Sequence, residues 1–151
     1  MVSTTHRQIT TPHTPAEVVQ ELFTALGSPD RRDVLAVLTE DVEWWVAGPP
    51  EIPYAGTFRG HAEVAQFFAT FDEATDYESW EAREFIAEGN TVVVIGEERW
   101  LAKSTGKAAD NPWVLVLTVH DGKITQFRAY EDTAASRDAF LASDASSPAT
   151  G

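Results

Sequence analysis

The sequence predicts an α+β fold in which helices cover one face of a curved antiparallel sheet. Three observations lead there. Amphipathic helical stripes crowd the first half of the chain, and β-rich runs fill the second. Short turns such as "EGN" and "HDG" follow or join those runs, as in strands that reverse direction. The chain has 151 residues, 43% of them hydrophobic, which suits one domain with a real core.

The elements follow in order. Residues 1–13 are polar and Thr-rich and read as a flexible tail; "SDASSPATG" (143–151) is its counterpart, leaving a single domain over 14–142. In "TPAE", Thr14 is an N-cap, Pro15 sits at N1 and Glu17 at N3, a capping box. Val18, Val19, Leu22, Phe23 and Leu26 form the helix's apolar stripe, and Gly27 ends it. "SPDRRDVLAVL" predicts a second helix capped by Ser28, burying Val34, Leu35, Val37 and Leu38. "DVEWWV" (41–46) is a short strand, followed by the loop "AGPPEIPYAGTFRG". A third helix over about 61–71 carries Val64, Phe67, Phe68 and Phe71 at helical spacing. "DYESWEAREFIAEGN" alternates imperfectly. "TVVVIGEERWLA" and "PWVLVLTV" are strands joined by "KSTGKAADN", and "HDG" turns into "KITQFRAY". Asp132 caps a short last helix with Phe140 and Leu141. The space between helices and sheet is a natural apolar pocket.

Composition narrows the function. Twenty-four acidic residues against 11 basic ones give a net charge of −13, which disfavours nucleic acid and anionic membrane surfaces. No cysteine is present, so disulfides, zinc thiolates and a thiol nucleophile are out. The four histidines, His6, His13, His61 and His120, have no ligand spacing on one element, so no metal is expected. "STGK" lacks the first glycine and following helix of a phosphate loop. No cofactor is expected. With no apolar leader and no run approaching a membrane span, a cytoplasmic protein is the default.

The stretches "LTEDVEWW", "PYAGTFRGHAEVAQFF", "EGNTVVVIG", "STGK" and "DGKITQFRAYEDT" together resemble the nuclear transport factor two-like superfamily. Within it the chain is most similar to SnoaL-like and ketosteroid-isomerase-related proteins, over roughly residues 15–141. The resemblance implies a cone of curved antiparallel sheet closed by three N-terminal helices, with a short C-terminal helix, usually in a dimer. Its members include isomerases, cyclases, dehydratases, epoxide hydrolases and binders without catalysis, so fold alone does not give function. Aligned with the limonene epoxide hydrolase branch, that branch's catalytic Arg and Asp fall on Gly96 and Glu98. Its second Asp falls on Ala129, and its Tyr and Asn fall on Trp44 and Val46. The ketosteroid isomerase base falls near Val46 and its oxyanion acid near Leu115; the His and Asp of SnoaL-type cyclases fall near Phe127 and Ala129. Glu98 alone keeps an acid in place, and the three-residue epoxide hydrolase mechanism is expected to be absent.

Strand alternation groups Gly96, Glu98 and Trp100 on one face, with Leu115 and Leu117, and Phe127, Ala129 and Glu131, on theirs. Turned inward, these faces make a pocket of Trp, Leu, Phe and small residues around one carboxylate. The opposite facing brings Glu97, Arg99, Arg128 and Tyr130 inward. Glu98 is the leading acid–base candidate, because an apolar pocket raises a carboxyl pKa. Glu131 is a candidate second acid at the mouth, although a solvated strand end beside the helix cap is the simpler reading. Trp44 and Trp100 are expected in the wall; Tyr54 either binds ligand or packs under its loop. Val114, Val116 and Thr118 give the sheet an apolar outer face, which points to a homodimer. Three functions remain. A cofactor-independent acid/base enzyme on an apolar oxygenated small molecule needs a buried ionisable group with cavity access. A small-molecule binder needs the cavity alone, and a dimeric interaction module needs neither.

Overall fold

The computed structural model describes residues 13–142; the tails expected at 1–13 and 143–151 lie outside these, His13 excepted. The first helix, α1 (Pro15–Leu26), starts at the capping box. Thr14 Oγ1 accepts from the Glu17 N–H (3.2 Å), and the Thr14 N–H donates to Glu17 Oε1 (2.9 Å). Its buried side is Val18, Val19, Leu22 and Ala25, with Phe23 and Leu26 half-buried at the margin.

The second helix is shorter than its pattern suggests. α2 covers only Arg32–Leu35, begins at Arg31 and has no side-chain cap. Ser28 is engaged in a local turn instead. Its hydroxyl donates to Asp33 Oδ2 (2.8 Å) and accepts from the Asp30 N–H (3.2 Å), bonds that compete with helix geometry. Downstream, the Val37 carbonyl accepts from the Ile124 N–H (2.9 Å), so the chain is drawn into the sheet and Leu38 opens a strand rather than closing a helix.

The remaining elements are β1 (Leu38–Val46), β2 (Gly56–Arg59), α3 (Gly60–Ala74), β3 (Thr75–Glu88), β4 (Thr91–Ala102), β5 (Ala108–His120), β6 (Lys123–Glu131) and α4 (Thr133–Phe140). Asp132 caps α4 by accepting from the Ala135 N–H (3.1 Å). The six strands form one curved, unclosed sheet in the order β2-β1-β6-β5-β4-β3. Its ladders are antiparallel except β1–β6, which is parallel. Parallel neighbours need a long connection, and the chain between β1 and β6 holds β2, α3 and three more strands.

On β4 and β5 the inner face follows strict alternation. Val92, Val94, Gly96, Glu98, Trp100 and Ala102 of β4 are all buried, while Glu97 and Arg99 between them are exposed. On β5, Asn111, Trp113, Leu115, Leu117 and Val119 turn inward and Val114, Val116 and Thr118 are half-buried outside. The helices bury Val18, Leu22, Val64, Phe67 and Phe68 against this face. No helix among the described residues is long and apolar enough to cross a membrane.

Gly96 is the most closely approached of the described glycines. A Cβ there would lie 2.2 Å from the Glu81 carbonyl oxygen and 2.3 Å from the Trp113 ring. Backbone and a buried indole cannot both retreat, so overpacking is expected to cost about 1–3 kcal/mol. Gly96→Ala is therefore expected to lower the urea midpoint with little change in slope, and a midpoint equal to the parent's would contradict this close approach.

Candidate active site

The inner face and the helices enclose a chamber of about 100 Å³. Aromatic rings make most of its wall. Trp44 stacks on Phe127 (ring centroids 3.6 Å apart, 6° between planes) and meets the edges of Phe67 and Phe68. Trp113 stacks on Trp80 (4.7 Å, 12°). Val46, Tyr54, Leu115 and Ala129 complete the apolar lining, and Tyr77, Glu98 and Glu131 bring the polar atoms.

Glu98 is 7% exposed. Tyr77 donates its hydroxyl to Glu98 Oε1 (2.8 Å), and Trp100 donates its indole N–H to Oε2 (3.1 Å). Both oxygens therefore accept, an arrangement made for a carboxylate. Burial pushes the Glu98 carboxyl above its ordinary range, and these donors oppose that rise.

Glu131 is a second acid in the same chamber. The solvated strand end suggested by the sequence does not form, because α4 folds back over the end of β6. Ser136, buried in α4, donates to Glu131 Oε2 (2.6 Å), and Asn111 Nδ2 donates to Ser136 Oγ (2.8 Å). In β-sheet register Glu98 lies opposite Asn111, and Trp113 opposite Glu131. The two glutamates thus reach toward each other from β4 and β6, across β5, and their carboxyl groups interact directly. Burial, then the charge of Glu98, pushes Glu131 up to about 7. The chemistry of the pair follows: Glu98 ionises first, held by two donors, and Glu131 keeps the proton and offers it to Glu98.

Tyr54 and Tyr77 are pushed well above the ordinary phenol range, by burial first and by the glutamate charges second, so both stay O–H donors. Tyr54 is buried among Phe67, Phe71, Trp100 and Phe140. Two further donors lack a partner among the described residues: the buried indole N–H groups of Trp44 and Trp113, residues of the chamber wall. Among the described residues no cluster of three or more His, Asp or Glu is placed to hold a metal ion.

Of the residues singled out by sequence, Trp44, Val46, Tyr54, Glu98, Leu115, Phe127, Ala129 and Glu131 meet at the chamber. Trp100, Leu117 and Gly96 do not line it. Trp100 sits behind Glu98 with Ala102, Ala109 and Ala139; Leu117 is sealed in the main core; the space above Gly96 is filled by Trp113. Sequence reasoning missed Tyr77, Trp80, Trp113, Asn111 and Ser136. Trp113 shares parity with Leu115, a usable signal. Tyr77 and Trp80 lie on β3, where two irregularities break the alternation, between Tyr77 and Ser79 and between Ala82 and Glu84.

The sequence matches the SnoaL-like domain family over residues 19–127, and the chain belongs to that family. Its fold is similar to an NTF2-like protein of Burkholderia xenovorans (35% identity, TM-score 0.79, covering 87% of this chain and 98% of that one). An NTF2-like protein of Burkholderia pseudomallei is also similar (30% identity, TM-score 0.75, 85% and 98% covered). So is TerC, crystallised with polyporic acid (27% identity, TM-score 0.76, 84% and 98% covered). No match was found among curated proteins.

The pair makes stability depend on pH. Glu131 rises from an ordinary 4.5 to about 7, so between these values the folded chain keeps a proton that the unfolded chain has lost. Stability from this group is full below 4.5, falls up to about pH 7 and is level above. At ~1.4 kcal/mol per pKa unit the fall is about 3 kcal/mol. Glu131→Gln is expected to remove most of it. Urea midpoints at about pH 5 and pH 8 check this: a parent no less stable at the higher pH, or a variant with the parent's slope, contradicts the buried proton.

Proposed function

We propose that this protein is a cofactor-independent acid/base enzyme acting on an apolar, oxygenated small molecule held against Glu98 and Glu131. The observation that carries the reading is the contrast within the pair. Glu98 accepts from Tyr77 and Trp100 at both oxygens, whereas Glu131 accepts from Ser136 and retains a proton to about pH 7. A base and an acid side by side suit proton transfer at neutral pH. In an enolisation, Glu98 takes a proton from the carbon next to a carbonyl as Glu131 delivers its proton to the carbonyl oxygen. The C–H bond breaks, an O–H bond forms, and the pair is left with its proton on Glu98. Glu98 then returns its proton to a different carbon while Glu131 takes back the enol proton, which restores the carbonyl, completes an isomerisation and resets the pair. The structure of TerC with polyporic acid supports a small molecule in this fold.

The epoxide hydrolase arrangement does not suit this chain, since Gly96 and Ala129 offer no arginine and no acid. Simple binding is the alternative, with the carboxyl pair as anchor. The general proton-abstraction probe 5-nitrobenzisoxazole separates the two. Its ring opening needs only a base, so the parent rate is expected to rise with pH as Glu98 ionises and to level off before Glu131 loses its proton at about 7. Glu98→Gln is expected to slow it ~10²–10⁴-fold, the usual worth of a general base. A rate unchanged in Glu98→Gln, with the probe still bound, would favour the binder. An enolising substrate needs Glu131 protonated as well, so its profile is expected to be a bell falling above about 7.

The outer face of the sheet supports a homodimer. Val93, Ile95, Val114 and Val116 are half-buried there, with Ile86 at 53% exposure and Tyr130 at 39%. These side chains make an apolar patch on the sheet, which calls for cover, and a second copy supplies the same face. Sedimentation is expected to give a dimer at micromolar concentration, and the double change Val114→Lys with Val116→Lys a monomer. A monomeric parent contradicts the assignment.

A further inference from the structure

The chamber is too small for the ligand its chemistry calls for. At about 100 Å³ it has room for roughly three waters, whereas small-molecule sites run to ~300–1,000 Å³. Directly outside lies a groove of about 460 Å³ between α1, α3 and the start of β3. Its walls include Phe23, Phe68, Phe71 and Trp80, and it ends at Arg31, which lies over the Phe68 ring (4.5 Å) and pairs with Asp72 (2.6 Å). Groove and chamber share Leu26, Phe68, Phe71, Tyr77 and Trp80. Only a layer of side chains separates them.

Trp80 is the part of that layer least held in place. Trp44 and Trp113 are buried, and Tyr77 is tied to Glu98 by its hydroxyl. Trp80 is 37% exposed, and its indole N–H makes no hydrogen bond to another described residue. It stands on the edge strand β3, in the short run between two pairing irregularities, directly opposite Glu98 in register. Its ring is held by a stack on Trp113 and an edge contact with Phe23 (4.9 Å). A ring that occupies the boundary, packs on both sides and is fixed by contacts alone can be displaced by another flat ring offering the same contacts.

We propose that groove and chamber are two halves of one ligand site, and that Trp80 is the movable partition between them. The substrate class is then a planar, two-part molecule. An oxygenated ring reaches Glu98 and Glu131, and an apolar arm of aryl size lies in the groove against Phe23, Phe68 and Phe71. The arm is uncharged: Arg31, the one cation among the described groove residues, is already matched by Asp72, and Asp76 in the same groove repels anions. This rests on the acid/base reading only in placing an oxygenated head at the carboxyl pair, and the arm can be tested without turnover.

Phenol and 4-phenylphenol serve as probes, the head alone and the head with an arm. Calorimetry on the full chain is expected to show 4-phenylphenol binding roughly tenfold to hundredfold tighter, the effect of burying one phenyl ring. Apolarity alone raises affinity anywhere, so the variants carry the test. Phe23→Ala, which trims the groove, is expected to cut that advantage to below about threefold, because it weakens 4-phenylphenol binding far more than phenol binding. If Phe23→Ala does not fold, Gly27→Phe replaces it: Gly27 lines the groove, and a Cβ there meets only the Thr24 carbonyl oxygen, at 3.5 Å. Trp80→Ala is expected to speed association of both probes, followed by stopped-flow tryptophan quenching, by roughly fivefold or more. An arm advantage that survives the groove variant, or association rates indifferent to Trp80, overturns the proposal. Failure of the acid/base reading looks different: the groove variants behave as stated while Glu98→Gln leaves the benzisoxazole rate untouched.

Discussion

A buried carboxyl group, Glu98, and a half-buried one, Glu131, share one aromatic chamber and set the terms for everything around them. Ionising both would place two like charges in a desolvated space, so the pair holds one proton between them up to about neutral pH. That arrangement survives only if the remaining lone pairs are satisfied. Tyr77 and Trp100 supply donors to Glu98, and Ser136, itself held by Asn111, supplies one to Glu131. These donors come from β3, β4, β5 and α4, so the acid site fixes how four elements meet. The short C-terminal helix has its reason here. Asp132 turns the chain directly after Glu131, and α4 returns Ser136 to the carboxyl it has just passed.

The aromatic walls do the complementary work. They exclude water, which raises both carboxyl groups, and they present flat faces rather than polar competitors. The stacking pairs differ in kind. Trp44 and Phe127 are buried and locked between α3 and the sheet, whereas Trp113 and Trp80 bridge the buried face and the open edge. One side of the chamber is therefore rigid and the other yields. Gly96 gives the yielding side its fixed base, because only a missing side chain lets the Trp113 ring lie on the sheet.

Ala129 and Glu131 face the same way on β6, one repeat apart, and both line the chamber. A two-residue step keeps the face and places the Glu131 side chain ~6.6–6.8 Å nearer the strand end. Exposure at the mouth is the cost of that position, and α4 offsets it by covering the site.

Local chemistry made part of this legible from sequence. The capping box at Thr14, the Phe stripe of α3, the turn at Asp121 and the cap at Asp132 depend on residues a few positions apart, and all lie within what a pattern can express. Alternation likewise groups Gly96 with Glu98 and Leu115 with Leu117, because side chains on a strand have a period of two. What only the tertiary structure decided involves partners far apart in the chain. Ser28 preferred a local turn, so α2 shrank to one turn and Leu38 joined the sheet. Two pairing irregularities reset β3, which brought Tyr77 and Trp80 to the face of Glu98 against the apparent alternation. The acidity of Glu131 was invisible in "YEDT", since it comes from a helix folding over it and from a second carboxyl 33 residues earlier in the sequence. Burial and charge–charge coupling are properties of the assembled surface, and no run of residues carries them alone.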